Sequence, residues 1–147
     1  MLILSRADVE ELLDPDVLVD ALARAMMEVS AGAVSMPPRV AALVQERESL
    51  LGVMPVYLPS AAILETKLVS LFPHNAESAA GIPTHQAVIV AFDPETGTPT
   101  ALMDATSITE IRTAAGSALA TRILAARIRP CWPSSARVSR LVPTPAR

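Results

Sequence analysis

Apolar residues recur with two different periods along this chain, and the change of period divides it. Val17, Leu18, Ala21, Leu22, Ala25, Met26 and Val29 fall three or four residues apart, the repeat of one face of a helix. Asp14-Pro15 opens that helix with a cap and a proline at its first position, and Gly32 ends it. A first helix of about two turns is expected before it, capped at Ser5 and running through Asp8 to Leu13. The Met26-Met27 pair is read as packing rather than as a cofactor contact.

Past Met36-Pro37-Pro38-Arg39 the period shortens towards that of strands. Val40–Val44, Leu50–Tyr57 and Leu64–Phe72 are predicted strands, separated by Glu46-Arg47-Glu48 and Leu58-Pro59-Ser60. Alternation in the third places Leu64, Leu68 and Phe72 on one face and Glu65, Lys67, Val69 and Leu71 on the other. Pro73 to Gly81 reads as loop. His85–Asp93 and Thr100–Asp104 then flank Pro94-Glu95-Thr96-Gly97 as a hairpin. Ser107 and Glu110 have capping-box spacing and open an alanine-rich helix towards Ala126. Two helices, a run of mostly antiparallel strands and a closing helix predict an α+β domain with its sheet covered on one side.

Composition narrows this further. The chain has 147 residues, about half apolar but only 3% aromatic, so its core is aliphatic. The first 126 residues hold all fifteen acids and seven of the twelve bases, while the last 21 hold five arginines. An acidic body argues against a nucleic-acid partner. One cysteine, Cys131, excludes an internal disulfide framework and a cysteine-based zinc site. No apolar run reaches the ~18 residues of a membrane span, and Met1-Leu2-Ile3-Leu4 leads directly into a charged helix without a signal-peptide pattern. The cytoplasm is the expected compartment.

Chemistry concentrates between Lys67 and Arg122. Lys67 is the only lysine; on an aliphatic strand its ammonium would be desolvated and able to exchange protons with an amine or imine. The competing reading is an edge-strand lysine that blocks aggregation. Arg112 falls in the first turn of the last predicted helix, where a guanidinium beside free N–H groups suits a carboxylate or phosphate; a salt bridge to Asp104 or Glu110 is the alternative. Arg39 follows two prolines that stiffen its backbone, and an exposed arginine without a role is equally open. His85 is a candidate general acid or cofactor contact, or a structural histidine; His74 reads as a loop residue. Three such cations would hold the carboxylate of an amino or imino acid.

Taken in order, Pro38-Arg39-Val40, Leu51-Gly52-Val53-Met54-Pro55-Val56-Tyr57, Thr66-Lys67-Leu68-Val69, Pro83-Thr84-His85-Gln86, Thr96-Gly97, Met103-Asp104, Ile108-Thr109 and Arg112-Thr113-Ala114-Ala115 resemble the N-terminal half of the ornithine cyclodeaminase/mu-crystallin family. The resemblance implies an NAD- or NADP-dependent enzyme of two domains. The first would be a substrate-binding and dimerisation domain, here residues 1–126, and a Rossmann domain would follow. Arg39, Lys67 and Arg112 match substrate-binding positions, with Lys67 the expected catalytic residue. Thr84, His85 and Gln86 match the segment that reaches the nicotinamide, and Arg112 is expected at the cofactor as well. The implied reaction is reduction of a cyclic imine such as a ketimine or 1-pyrroline-2-carboxylate, or amino-acid dehydrogenation, in a homodimer. The alternatives are ornithine cyclisation with loss of ammonia, a ligand-binding module without catalysis, and an inert gene remnant. Gly52 stands where ornithine-specific members carry an acid, which favours the mu-crystallin branch.

After Ala126 the resemblance implies a strand and a Gly-x-Gly phosphate turn. Arg129-Pro130-Cys131-Trp132-Pro133-Ser134-Ser135-Ala136-Arg137-Val138-Ser139-Arg140 holds no glycine. Codons re-read one base earlier permit an apolar strand followed by Gly-Thr-Gly. A frameshift before Cys131 is therefore the expectation, with 127–147 an aberrant, disordered tail and the chain inactive alone; a divergent natural tail is the alternative.

Overall fold

The computed structural model describes residues 1–125; the expectations for the tail lie outside them. Strand β1 (Leu2–Leu4) is followed by helices α1 (Arg6–Leu12) and α2 (Pro15–Ser30). Strands β2 (Val40–Val44), β3 (Ser49–Leu58), β4 (Ile63–Leu71), β5 (His85–Phe92) and β6 (Pro99–Asp104) come next, and helix α3 (Thr106–Leu124) closes the domain. The α+β fold expected from the sequence is the fold observed. Its six strands lie in the order β1-β6-β5-β4-β3-β2, antiparallel except for the β1–β6 pair.

Local chemistry sets most boundaries. Ser5 and Asp8 exchange reciprocal bonds in a capping box at α1, and Asp14 Oδ1 accepts from the amides of Asp16 and Val17 at α2. The two tight hairpins β2–β3 and β3–β4 are built alike. Each has a short 3₁₀ turn, Gln45–Arg47 or Pro59–Ala61, closed by a residue in the left-handed region, Glu48 or Ala62, both at φ 50°.

One sheet face is covered. Val69, Ala87 and Ile89 on that face and Ala105 before α3 form the buried core, against which Met54, Met103 and Ile108 pack. Helix α3 lies over this face, with α1 and α2 beside it. The opposite face presents Val40, Leu51, Val53, Pro55, Leu68 and Val88 in register across β2 to β5. Val40, Leu51 and Val88 stay exposed, because no helix among the described residues covers them.

Three local expectations are corrected. Leu2–Leu4, read as a lead into the first helix, is an edge strand beside β6; three residues are too few to show a period. The stripe on α2 buries no residue completely, and Met26 and Met27 are exposed because α2 packs at the margin of α3 rather than over the sheet. Helix α3 begins at Thr106, one residue before Ser107. Asp104 takes the capping role instead, its Oδ1 accepting from the amides of Thr106 and Ser107 and from the Ser107 hydroxyl.

Candidate functional site

Ala87 fixes where α3 sits. Its amide donates to Thr106 Oγ1 at 3.1 Å, and its carbonyl accepts from the Ala105 amide at 2.9 Å. With the helix stitched to β5 at its first residues, Thr109 arrives one turn later above β4. There Lys67 Nζ donates to Thr109 Oγ1 at 2.5 Å. The Thr109 hydroxyl gives its own proton to the Ala105 carbonyl at 2.7 Å, which leaves its lone pairs free for the lysine.

Lys67 is half-buried on the covered face of a central strand, opposite Met54 on β3 and Ile89 on β5. The aggregation-blocking role on an edge strand is thereby excluded. Arg39 directly precedes β2, whose first residue Val40 pairs with Val53 on β3, one strand away from Lys67 on β4. Arg112 lies three residues beyond Thr109 on α3, a spacing that puts both on one side of the helix. Burial lowers the Lys67 pKa, and the charges of Arg112 and then Arg39 lower it further. These three cations, widely spaced in sequence, share one neighbourhood.

Arg112 differs from expectation in one respect. It is the seventh residue of α3, in the second turn, so free helical N–H groups do not assist it. Neither Asp104 nor Glu110 forms an ion pair with it among the described residues.

A cavity of about 500 Å³ adjoins the lysine, lined by Arg6, Pro83, Thr84, His85, Thr106, Thr109, Glu110 and Thr113. Thr109 belongs to both places: one side touches Lys67 and the other faces the cavity. Thr84 and His85 stand on the wall of this cavity. Gln86 does not, because alternation along β5 turns it to the uncovered face, opposite Ser70. His74, expected in a loop, lies in the 3₁₀ turn Pro73–Glu77, its Nε2 3.2 Å from Glu48 Oε2.

Thr84, Thr106, Thr109, Thr113, Arg6 and His85 give the cavity a polar wall, although the hydroxyls of Thr106, Thr109 and Thr113 are already bonded to the backbone and Arg6 pairs with Glu10. No group of His, Cys, Asp and Glu among the described residues fits a metal ion. Gly52 faces Val69, and a Cβ there would stand 3.2 Å from Val69 Cγ1, so an acid at this position requires repacking. The residues unassigned from sequence are Thr106, Arg6, Thr109 and Glu65. The Thr106/Thr109/Thr113 spacing was the available signal, since it aligns hydroxyls on one helix side.

Comparison with known proteins agrees with this fold. The model of the ornithine cyclodeaminase/mu-crystallin family matches residues 1–128. Ketimine reductase mu-crystallin of Mus musculus is 42% identical over 93 residues, covering 63% of this chain and 29% of that protein. The structure of Thermococcus litoralis Δ1-pyrroline-2-carboxylate reductase in complex with NADH and L-proline superposes with a TM-score of 0.78 at 38% identity, covering 83% of this chain and 37% of the other. An archaeal alanine dehydrogenase dimer with bound NAD gives 0.75 at 34% identity, covering 83% and 36%. The fold is thus that of a domain found in a reductase and a dehydrogenase whose structures hold NADH or NAD. The chain belongs to the ornithine cyclodeaminase/mu-crystallin family. It spans about a third of the length of the relatives it matches.

Proposed function

We infer that this domain is the substrate half of an NAD(P)-dependent oxidoreductase acting on the CH–NH bond of a small amino or imino acid. Arg39, Lys67 and Arg112 hold the substrate carboxylate, and Lys67, the most desolvated of the three, exchanges a proton with the substrate nitrogen. The cavity beside Thr109, with Thr84 and His85 on its wall, receives the nicotinamide end of the cofactor. When bound, that group supplies or accepts the hydride. The chain's own residues position the acid so that its Cα faces the cavity.

The observation that carries this reading is the Lys67–Thr109 bond, which places a half-buried ammonium at the junction of the cation cluster and the cavity. The uncovered sheet face supports a homodimer through β2 to β5.

Calorimetric titration with L-proline or pyrrole-2-carboxylate tests the binding half, and saturable binding weakened at least about tenfold by Arg112→Ala is expected, the loss of one charge-assisted contact. Equal affinity in the variant would reject it. In a chain extended through a complete cofactor domain, NAD(P)H oxidation with a cyclic imine is expected; ammonia release from ornithine without net NADH change would instead favour a cyclodeaminase.

A further inference from the structure

The hydride reading uses Lys67 as a proton carrier and leaves two features unused. The first is nucleophilicity. Burial and two neighbouring guanidinium charges favour the neutral amine, which attacks carbonyl carbon where an ammonium does not. A neutral amine that donates one N–H to Thr109 Oγ1 keeps its lone pair clear of that bond. The second is Glu65. It lies two residues from Lys67 on the same covered face, opposite Val56 and Ala91, roughly 7 Å away along the strand. Its half-buried carboxyl has no hydrogen bond or ion pair among the described residues, and desolvation raises its pKa. A carboxyl so placed retains its proton longer than an exposed one.

We propose that Lys67 condenses reversibly with the carbonyl carbon of a small 2-oxo acid, with Arg39 and Arg112 holding the acid's carboxylate and Glu65 supplying the proton with which water leaves. This rests on the carboxylate cradle inferred above. The step balances without an oxidant or reductant. The Lys67 nitrogen forms a bond to the carbonyl carbon as the C=O π bond opens, and one of its protons passes to that oxygen to give a carbinolamine. Its hydroxyl then departs as water with the Glu65 proton, the nitrogen lone pair closes the C=N bond, and the proton remaining on nitrogen neutralises the Glu65 carboxylate or stays on the iminium. Hydrolysis reverses every change.

The sequence makes the test unusually clean, because Lys67 is the only lysine and the Met1 amine is the one other primary amine. The full chain is incubated with pyruvate and borohydride, which reduces any imine to a stable secondary amine, and the adduct is located by peptide mass mapping. A single adduct at Lys67 is expected, absent in Lys67→Arg. At limiting pyruvate it falls at least tenfold in Arg112→Ala, and Glu65→Gln slows its appearance without changing its final extent. Propanal, which lacks a carboxylate, should label Met1 at least as readily as Lys67. Circular dichroism melts on each variant separate a lost site from a lost fold, with Arg112→Lys as a milder replacement. Labelling confined to Met1, or equal labelling of Lys67 by pyruvate and propanal, overturns the proposal. L-lactate separates the two levels of inference. Lactate binding without pyruvate trapping removes the condensation alone, and the absence of both removes the cradle with it.

Discussion

Lys67 on β4 and Thr109 on α3 stand 42 positions apart in sequence and 2.5 Å apart in space. The bond ties the helix to the sheet at the point where the cations gather. Thr109→Val keeps the shape and removes the acceptor. It should lower stability by about 1 kcal/mol, the usual net worth of such a bond, and weaken carboxylate binding more than Thr113→Val does. Thermal melts and calorimetry of the two variants check this; equal effects would mean that the hydroxyl does not hold the lysine.

Glu65 predicts a pH dependence with a definite sign. Desolvation raises its folded-state pKa above the unfolded value. A raised carboxyl contributes stability that is fully present below the unfolded pKa and is lost as pH rises through the folded value. Once ionised, its charge is therefore a burden on the fold. Glu65→Gln should raise the melting temperature at pH 7, and the gain should shrink towards pH 4. A gain that is the same at both pH values would contradict the assignment.

Ala62 closes the β3–β4 hairpin at φ 50°, a region that costs an L-residue about 1–2 kcal/mol. Glycine adopts it without that penalty. Ala62→Gly is expected to stabilise the domain by about 1 kcal/mol in chemical denaturation, less whatever the freer unfolded chain loses on folding. A destabilised variant would show that the methyl group packs usefully.

The uncovered sheet face predicts self-association. Val88 lies on it opposite Leu68, and Val88 is 38% exposed, so a charge there is tolerated by a monomer and not by a face-to-face dimer. Sedimentation should give a dimer for the chain and a monomer for Val88→Asp at the same concentration. A monomer in both would remove the dimer reading.

Much of the fold was legible in the sequence because periods and caps are local. Ser5, Asp14 and the strand runs Val40–Val44 and Leu50–Tyr57 each carry their signal within a few residues. Leu2–Leu4 was not legible, since β1 is defined by pairing with β6 about a hundred residues later. Asp104 as the cap of α3 was hidden behind Ser107, whose spacing to Glu110 imitates a capping box. Arg39 and Lys67 could be named from sequence, yet their nearness follows only from the sheet order, which sets β2 and β4 on either side of β3. Gln86 shows the converse. It adjoins His85 in sequence, but strand alternation sends it to the other side of the sheet.

The central claim is that Lys67 sits among cations that grip a small acid. With a single lysine in the chain, ¹³C-labelling of lysine gives one side-chain NMR signal, which can be followed against pH with and without pyrrole-2-carboxylate. Without ligand its titration midpoint should lie below the ordinary lysine value, because burial and the charges of Arg112 and Arg39 disfavour the ammonium; with ligand, the bound carboxylate should move it upward. A midpoint at or above the ordinary value, unmoved by the acid, would contradict the account.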